Sequence, residues 1–274
     1  MLPLPFRDGP PTFTVGLRPI PVERWLTPDD QAASLVGKAH LLDTNGPAVL
    51  ASVPGSEAGQ AEVAALVAQA LAAPAPDFAA ASRLVSDDLC LMERRPAGWT
   101  LTAASLCSPT YFRLDHAIGR TLQGLHGPVP GGALLASRIA RVFDGLRDGL
   151  VLERFNWTIQ AGPERFTPSR RPLHDRAAAA APGEAGKLLH LRVERQTIRR
   201  LPQTGGVIFT IRIRLDPLAG LLTAPEDAVA FAAAWAAASA DARTYKGWAV
   251  HDRLVDALCR EIGVRPPERL EQAP

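Results

Sequence analysis

The feature of the sequence that most constrains its fold is a series of three segments, 150–160, 188–201 and 207–215, in which apolar and polar residues alternate. Because successive side chains of a β-strand point to opposite faces, this alternation predicts three strands. The turn residues at 202–206, Pro-Gln-Thr-Gly-Gly, predict that the second and third of these strands pair as an antiparallel hairpin.

Two shorter strands are predicted upstream, at 89–94 and 99–105, with a turn at 96–98 between them. Residues 109–148 follow them and look helical, with prolines and glycines breaking the run at 128–132. The order of strand, strand, helical section and three strands predicts an α+β fold in which helices cover one face of an antiparallel sheet. It is the element order of a PAS domain, although other small α+β domains share it.

The flanks of this core have a different composition. We expect a proline-rich N-terminal arm and helices in 1–82, a core domain in 83–220, and an alanine-rich helical extension in 221–274. The proline- and alanine-rich stretch 161–186 is predicted to be a loop.

Charge and cysteine content exclude several classes of protein. A net charge of +2 is too small to indicate nucleic-acid binding, and no run of about 18 apolar residues predicts a membrane span. The N-terminus lacks the pattern of a secretory signal, so we expect a cytoplasmic protein. The three cysteines are widely spaced, which argues against a disulfide framework, a zinc site or an iron–sulfur site. Iron–sulfur chemistry would therefore have to come from another chain.

Among the six histidines, His126 has the most informative setting. No two of the histidines have the spacing of a protein-only metal site, but a single histidine can hold a metal whose other ligands come from a macrocycle. His126 ends the predicted helical section, directly before the rigid break at Gly127 and Pro128. The alternative is a helix-terminal histidine that caps carbonyl groups. A nucleophilic pair of Cys107 and His126 is conceivable, but the sequence shows no third orienting group for it.

The predicted strand at 188–201 separates its charged residues by face. Glu194 falls on one face and Arg195 on the other, beside apolar residues. An arginine on an apolar face must be paired or must meet an oxygen-bearing ligand. Glu194 could bind a cationic amine or pair with Arg212 on the next strand, and the alternative for both charges is a solvated cross-strand ladder. By the same alternation, Trp157 and Phe155 are expected to be core residues.

Several short motifs, taken together and in order, resemble those of the haem-dependent oxidative N-demethylase α-subunits and their uncharacterised relatives. They cover most of the chain and are Val15-Gly16-Leu17-Arg18-Pro19-Ile20 with Trp25-Leu26, Ser105-Leu106-Cys107-Ser108-Pro109-Thr110, Ile118-Gly119-Arg120, Leu125-His126-Gly127-Pro128-Val129-Pro130, Phe155-Asn156-Trp157, Glu194-Arg195-Gln196-Thr197, Phe209-Thr210-Ile211-Arg212 and Tyr245-Lys246-Gly247.

The resemblance implies a PAS-like haem pocket between the helical section and the sheet. It also implies oxidation of a small secondary amine, dimethylamine, by dioxygen, giving methylamine and formaldehyde. The cofactor of this chain would be haem b. The electrons would come from NADPH through flavin and iron–sulfur groups on partner subunits.

Site residues follow from the resemblance as expectations. His126 would be the axial ligand of the iron, and Trp157, Phe155 and Phe209 would contact the haem. The expected catalytic residues are Arg195, Glu194 and Asn156: Arg195 or Asn156 would stabilise negative charge developing on dioxygen, and Glu194 would hold the amine as its ammonium ion. Strand parity separates Glu194 from Arg195 unless a β-bulge intervenes. A haem-binding sensor or carrier without turnover, and a haem-free scaffold, remain the alternatives.

Overall fold

A seven-stranded antiparallel sheet forms the centre of the computed structural model, which describes residues 4–28 and 32–265. Its strand order is β1-β5-β6-β7-β3-β4-β2. The strands are β1 (Arg18–Ile20), β2 (Leu50–Ser52), β3 (Asp88–Arg95), β4 (Gly98–Ser105), β5 (Val151–Ala161), β6 (Leu189–Arg200) and β7 (Val207–Pro217). The predicted α+β class with an antiparallel sheet is confirmed.

Helices precede, interrupt and follow the sheet. In the described residues they are α1 (Ala32–Thr44), α2 (Glu57–Leu71), α3 (Phe78–Leu84), α4 (Leu114–Ala117), α5 (Leu122–His126), α6 (Gly132–Gly145), α7 (Arg171–Ala179), α8 (Ala185–Leu188), α9 (Leu218–Leu221), α10 (Pro225–Ala236), α11 (Ala240–Lys246) and α12 (Asp252–Glu261). None of these helices has both the length and the apolar character needed to cross a bilayer.

The predicted order of elements is present in the core. β3 and β4 form a hairpin, α4 to α6 make up the helical section, and β5, β6 and β7 follow. Two predictions were incomplete. The predicted loop 161–186 contains α7, and the predicted arm and helices of 1–82 contribute β1 and β2 to the two edges of the sheet.

The two faces of the sheet have different covers. The front face carries the side chains of Asn156, Glu194 and Phe209, and the helical section α4 to α6 packs on part of it. The back face carries Arg195 and Trp157, and it is covered by α2 and α3 at one end and by α10 and α12 at the other. Pairing of β5 with β6 runs without a register shift, so no β-bulge exchanges side chains between these faces.

The N-terminal segment is part of the same sheet, because β1 and β2 form its two edges. Phe6 and Trp25 are fully buried and fix this segment to the back face. The division at residues 82 and 220 stays a prediction, and the ends of the chain at 1–3 and 266–274 lie outside the described residues.

Candidate functional site

A carboxylate on the front face is the centre of a polar cluster. Glu194 lies opposite Asn156 in the register of β6 with β5. Thr110 Oγ1 donates a hydrogen bond to Glu194 Oε1 at 2.5 Å, while Asn156 Nδ2 and Gln196 Nε2 donate to Oε2 at 3.1 and 2.8 Å. We call Glu194, Thr110, Asn156, Gln196 and Lys246 the Glu194 cluster. Three donors on one carboxylate fix its orientation.

Glu194 is ionised in this setting. Burial acts to raise the pKa of its carboxyl group, but the hydrogen bond from Thr110 and the charges of Lys246 and Arg192 outweigh burial and lower the pKa overall. The Glu194 carboxylate is therefore negatively charged at neutral pH, with cations already placed around it.

Arg192 holds the loop that supplies Thr110. Its side chain is fully buried, and its Nε donates to Thr110 Oγ1 at 2.8 Å while Nη2 donates to Ser108 O at 2.6 Å. Nη1 reaches Gln160 Oε1 at 3.2 Å, and burial lowers the pKa of Arg192 to about 10. Because the guanidinium stays charged, it stabilises the ionised carboxylate of Glu194.

Lys246 is the last residue of α11, and its side chain reaches the other members of the cluster. It is buried, and its Nζ donates to Asn156 Oδ1 at 3.2 Å. Burial lowers the pKa of Lys246 to about 8, against the attraction of Glu194. Asn156 thus accepts from Lys246 and donates to Glu194, which fixes the orientation of its amide.

His126 lies at the C-terminal end of α5, in the helical section. Its Nδ1 is 2.8 Å from the Leu122 carbonyl oxygen, one turn earlier, so this nitrogen carries the proton and Nε2 is left with its lone pair. Burial lowers the pKa of His126, and the charge of Arg154 acts in the same direction. The imidazole is therefore neutral at pH 7, and it lies within electrostatic range of Arg154, which in turn interacts with Glu194.

A tight junction between α5 and α6 fixes the position of His126. Gly131 adopts a left-handed conformation with φ of 65°, and α6 begins at Gly132. A Cβ atom at Gly132 would lie 1.9 Å from the His126 carbonyl oxygen, so only glycine allows the start of α6 to pass this close. The rigid break predicted after His126 is present as this junction.

The predicted site residues divide between the two faces. Glu194, Asn156 and Phe209 lie together on the front face, the face on which the section containing His126 packs. Trp157 lies on the back face, where it packs against Phe6, Phe231 and Trp248, and Phe155 lies beside it. Both aromatic residues therefore lie in the core, as the alternation predicted. Neither faces the Glu194 cluster, so the expectation that they contact a haem on that side does not fit their position.

Arg195 also lies on the back face. Its Nε donates to Glu153 Oε1 at 2.6 Å, and its Nη atoms donate to the Trp25 and Arg24 carbonyl oxygens at 2.9 and 2.5 Å. The expected grouping of Arg195 with Glu194 is therefore corrected: Arg195 joins the N-terminal segment to the sheet. Arg212 lies on this face as well and pairs with Asp87, so it is not the partner of Glu194.

Three members of the Glu194 cluster were not among the site residues expected from the sequence, and Gln196, two residues after Glu194, is the nearest of them. Thr110 and Lys246 are 84 and 52 positions from Glu194 in the chain, and neither has a distinctive sequence pattern. The Tyr245-Lys246-Gly247 motif contained the signal, since a lysine among apolar helices needs a buried partner. Cys107, considered with His126, is buried beside Leu42 and Val49, and burial raises the pKa of its thiol to about 11.

A second group of titratable side chains lies next to Gly247, the residue that follows Lys246. The rings of Tyr111 and His174 are 6.0 Å apart, and those of His174 and His251 are 5.7 Å apart. Tyr111 Oη, His174 Nε2 and both ring nitrogens of His251 are buried without a hydrogen-bond partner in the structure. Ordered water could satisfy such atoms.

Comparison with known families bears on this geometry. A family model described as haem-dependent oxidative N-demethylase, alpha subunit-like, matches residues 74–255, which is more than half of the chain. The protein belongs to this family. The matched range contains β3 to β7, the helical section with His126 and every member of the Glu194 cluster. Its description indicates a haem-dependent oxidoreductase and, through the word subunit, an assembly with other chains.

The residues present fit a haem. His126 offers a neutral imidazole whose Nδ1 is held by a backbone carbonyl, the arrangement that orients a metal-binding histidine. Phe209 and Ile211 lie on β7, the central strand, yet their side chains remain partly exposed on the front face. In the described part of the chain, no three His, Cys, Asp or Glu side chains converge on one point. An iron held by His126 would thus take its other ligands from a macrocycle and not from further side chains of this kind.

Proposed function

We propose that this chain binds haem b through His126 Nε2 and oxidises a small secondary amine, such as dimethylamine, with dioxygen. The proposal depends on one observation: two groups lie on the same side of the sheet. One is the neutral imidazole of His126, held at Nδ1 by a backbone carbonyl, and the other is the ionised carboxylate of Glu194. The first provides an axial ligand and the second provides a counter-charge for an ammonium ion. The order of strands and helices in the core supports the PAS-like description of the pocket.

Partly exposed apolar side chains would contact the porphyrin. Phe209 and Ile211 on β7 supply an apolar surface next to the polar cluster. Trp157 and Phe155 pack in the core on the back face of the sheet, so they would not contact the haem and would affect it only by positioning β5. When bound, the haem supplies the redox chemistry that couples reduction of dioxygen to oxidation of the amine's methyl group.

The chain's own residues bind and orient the amine. A secondary alkylamine is an ammonium ion at neutral pH, and Glu194 is the carboxylate placed to receive one of its N–H groups. Asn156 and Thr110 hold that carboxylate in one rotamer, so the methyl group is presented in one orientation. Arg195 has no direct part in this chemistry, because it lies on the back face.

The net reaction requires electrons from another protein. Dimethylamine, dioxygen, two electrons and two protons give methylamine, formaldehyde and one water. Cys90, Cys107 and Cys259 lie in three separate core clusters, whereas an iron–sulfur cluster needs converging thiolates. We therefore assign NADPH, flavin and iron–sulfur groups to partner reductase subunits, and we place the assembly in the cytoplasm.

The test is product formation by the haem-loaded chain. Dimethylamine, air, NADPH and a heterologous flavin and iron–sulfur reductase pair should give formaldehyde and methylamine in equal amounts. The Glu194→Gln variant should keep its haem but bind dimethylamine about tenfold or more weakly, since it loses a charge-assisted hydrogen bond. A reduced, haem-loaded wild-type chain that neither binds the amine nor forms formaldehyde would contradict the proposal and would leave a haem-binding sensor or carrier.

A further inference from the structure

We propose that Lys246 gives up its proton when an alkylammonium ion binds at Glu194, so that the number of cations around this one carboxylate does not rise. The proposal rests on the proposed function and concerns the same site. It assigns to Lys246 a role in selecting the protonation state in which the amine is bound. The argument depends on the burial of Lys246, on the bridge through Asn156 and on the charges around Glu194.

Lys246 and Glu194 share one bridging amide. Lys246 Nζ donates to Asn156 Oδ1 at 3.2 Å, and Asn156 Nδ2 donates to Glu194 Oε2 at 3.1 Å. Lys246 is 9% exposed, so water contributes little to the solvation of its ammonium group. Its charge is therefore stabilised mainly by the carboxylate beyond Asn156.

The site already has more positive than negative charge. Arg192 and Arg154 interact with Glu194 as well, and burial lowers the pKa of both guanidinium groups without making them neutral. An added ammonium ion would bring a fourth cation to a single carboxylate in a poorly solvated site. Nearby positive charges disfavour protonation, and they do so most effectively at the weakest base of the site. That base is Lys246, because burial lowers its pKa to about 8.

Further ionisable groups lie around the site. These groups are Glu194 and Arg192 on β6, Arg154 on β5, Tyr245 on α11, Tyr111 in the loop after β4 and Arg170 before α7. Burial raises the pKa of both tyrosines, so they stay neutral.

Proton release on binding provides the test. The haem-loaded chain is titrated calorimetrically with dimethylammonium chloride near pH 7 in two buffers of different ionisation enthalpy. The difference in heat gives the number of protons released per amine bound. Wild type should release about one proton, and its affinity should rise about tenfold per pH unit and then level near pH 8.

Two variants and one control separate the explanations. Lys246→Met should release no proton and should bind the amine about tenfold more tightly near pH 7, because no lysine must be neutralised. Lys246→Arg keeps a permanent charge in case the apolar variant fails to fold, and it should bind more weakly than wild type with no rise in affinity between pH 7 and pH 8. Lys187→Met, at an exposed position on α8, should behave as wild type.

Three outcomes would overturn the inference: no proton release by wild type, equal release by Lys246→Met and wild type, or a wild-type affinity that keeps rising well above pH 8. Amine binding would still be observed in each of these cases, and the proposed function would stand. Failure of the wild-type chain to bind the amine at any pH would instead overturn the proposed function, and the role of Lys246 with it.

Discussion

His251 is a single residue whose burial makes the stability of the whole chain depend on pH. Both of its ring nitrogens are buried without a partner in the structure, and burial, with the nearby His174, lowers its pKa to about 4. The ordinary value for histidine is 6.5, so the unfolded chain takes up this proton first as the pH falls. The contribution of neutral His251 to stability is present above pH 6.5 and is lost progressively towards pH 4.

Replacing His251 with Phe should therefore reduce the acid sensitivity of the fold. Between pH 7 and pH 5, wild type should lose about 2 kcal/mol more free energy of unfolding than His251→Phe, as measured by urea denaturation at both values. Asp88, whose pKa burial raises to about 6, acts in the opposite direction. It is present in both proteins and cancels in the difference. Equal losses in the two proteins would contradict this assignment.

Sequence parity could place individual residues on faces but could not find their partners. Alternation along β6 separated Glu194 from Arg195 correctly, because a regular strand has a period of two residues. The partner of Lys246 is 90 positions away along the chain, and that of Arg195 is 42 positions away. Such contacts depend on the packing of α11 and β5 around the sheet, which no local pattern encodes.

At the level of elements, the junction of α5 with α6 determines where His126 points. The would-be Cβ of Gly132 meets the His126 backbone, which has no flexible end that could move away. Gly145, at the other end of α6, has nothing within 4 Å of its own would-be Cβ. The two glycines therefore form a matched pair in one helix.

Gly132→Ala should displace α5 from α6 and reduce haem affinity about tenfold or more, with about 1–3 kcal/mol of lost stability from overpacking. Gly145→Ala should retain wild-type haem affinity and should not lower stability, since alanine is the better helix former. Haem titration followed by absorbance, together with thermal denaturation of both variants, measures this. Unchanged haem affinity in Gly132→Ala would show that the junction does not position the histidine.

The elements that the sequence failed to predict are those with few residues in contact with the core. β1 and β2 have three residues each, which is too short for an alternation to be seen, and they exist because β5 and β4 offer free edges. α7 buries Leu173 and Ala177 in a segment dominated by alanine and arginine. Longer elements such as β6 carry their period over many residues, so they could be predicted.

At the scale of the whole molecule, Arg195 links the N-terminal segment to the back face. Replacing it with Ala would leave Glu153 buried without its partner, at a cost of about 3 kcal/mol. Arg195→Ala should unfold at lower urea but keep wild-type haem absorption and amine affinity while folded. Arg171→Ala, which removes an exposed pair with Asp175, is the control and should change stability by less than about 0.5 kcal/mol. Loss of amine affinity in folded Arg195→Ala would restore a direct catalytic role.

The central claim is that His126 is the axial ligand of a haem. The direct measurement is the visible spectrum of the haem-reconstituted chain in the ferric, ferrous and carbon monoxide forms, for wild type, His126→Ala and His116→Ala. His116 lies on α4 with an exposed side chain and is the matched control. Wild type and His116→Ala should show the same strong Soret band, and His126→Ala should lose it and regain it with added imidazole. Full haem loading of His126→Ala with an unchanged spectrum would contradict the account.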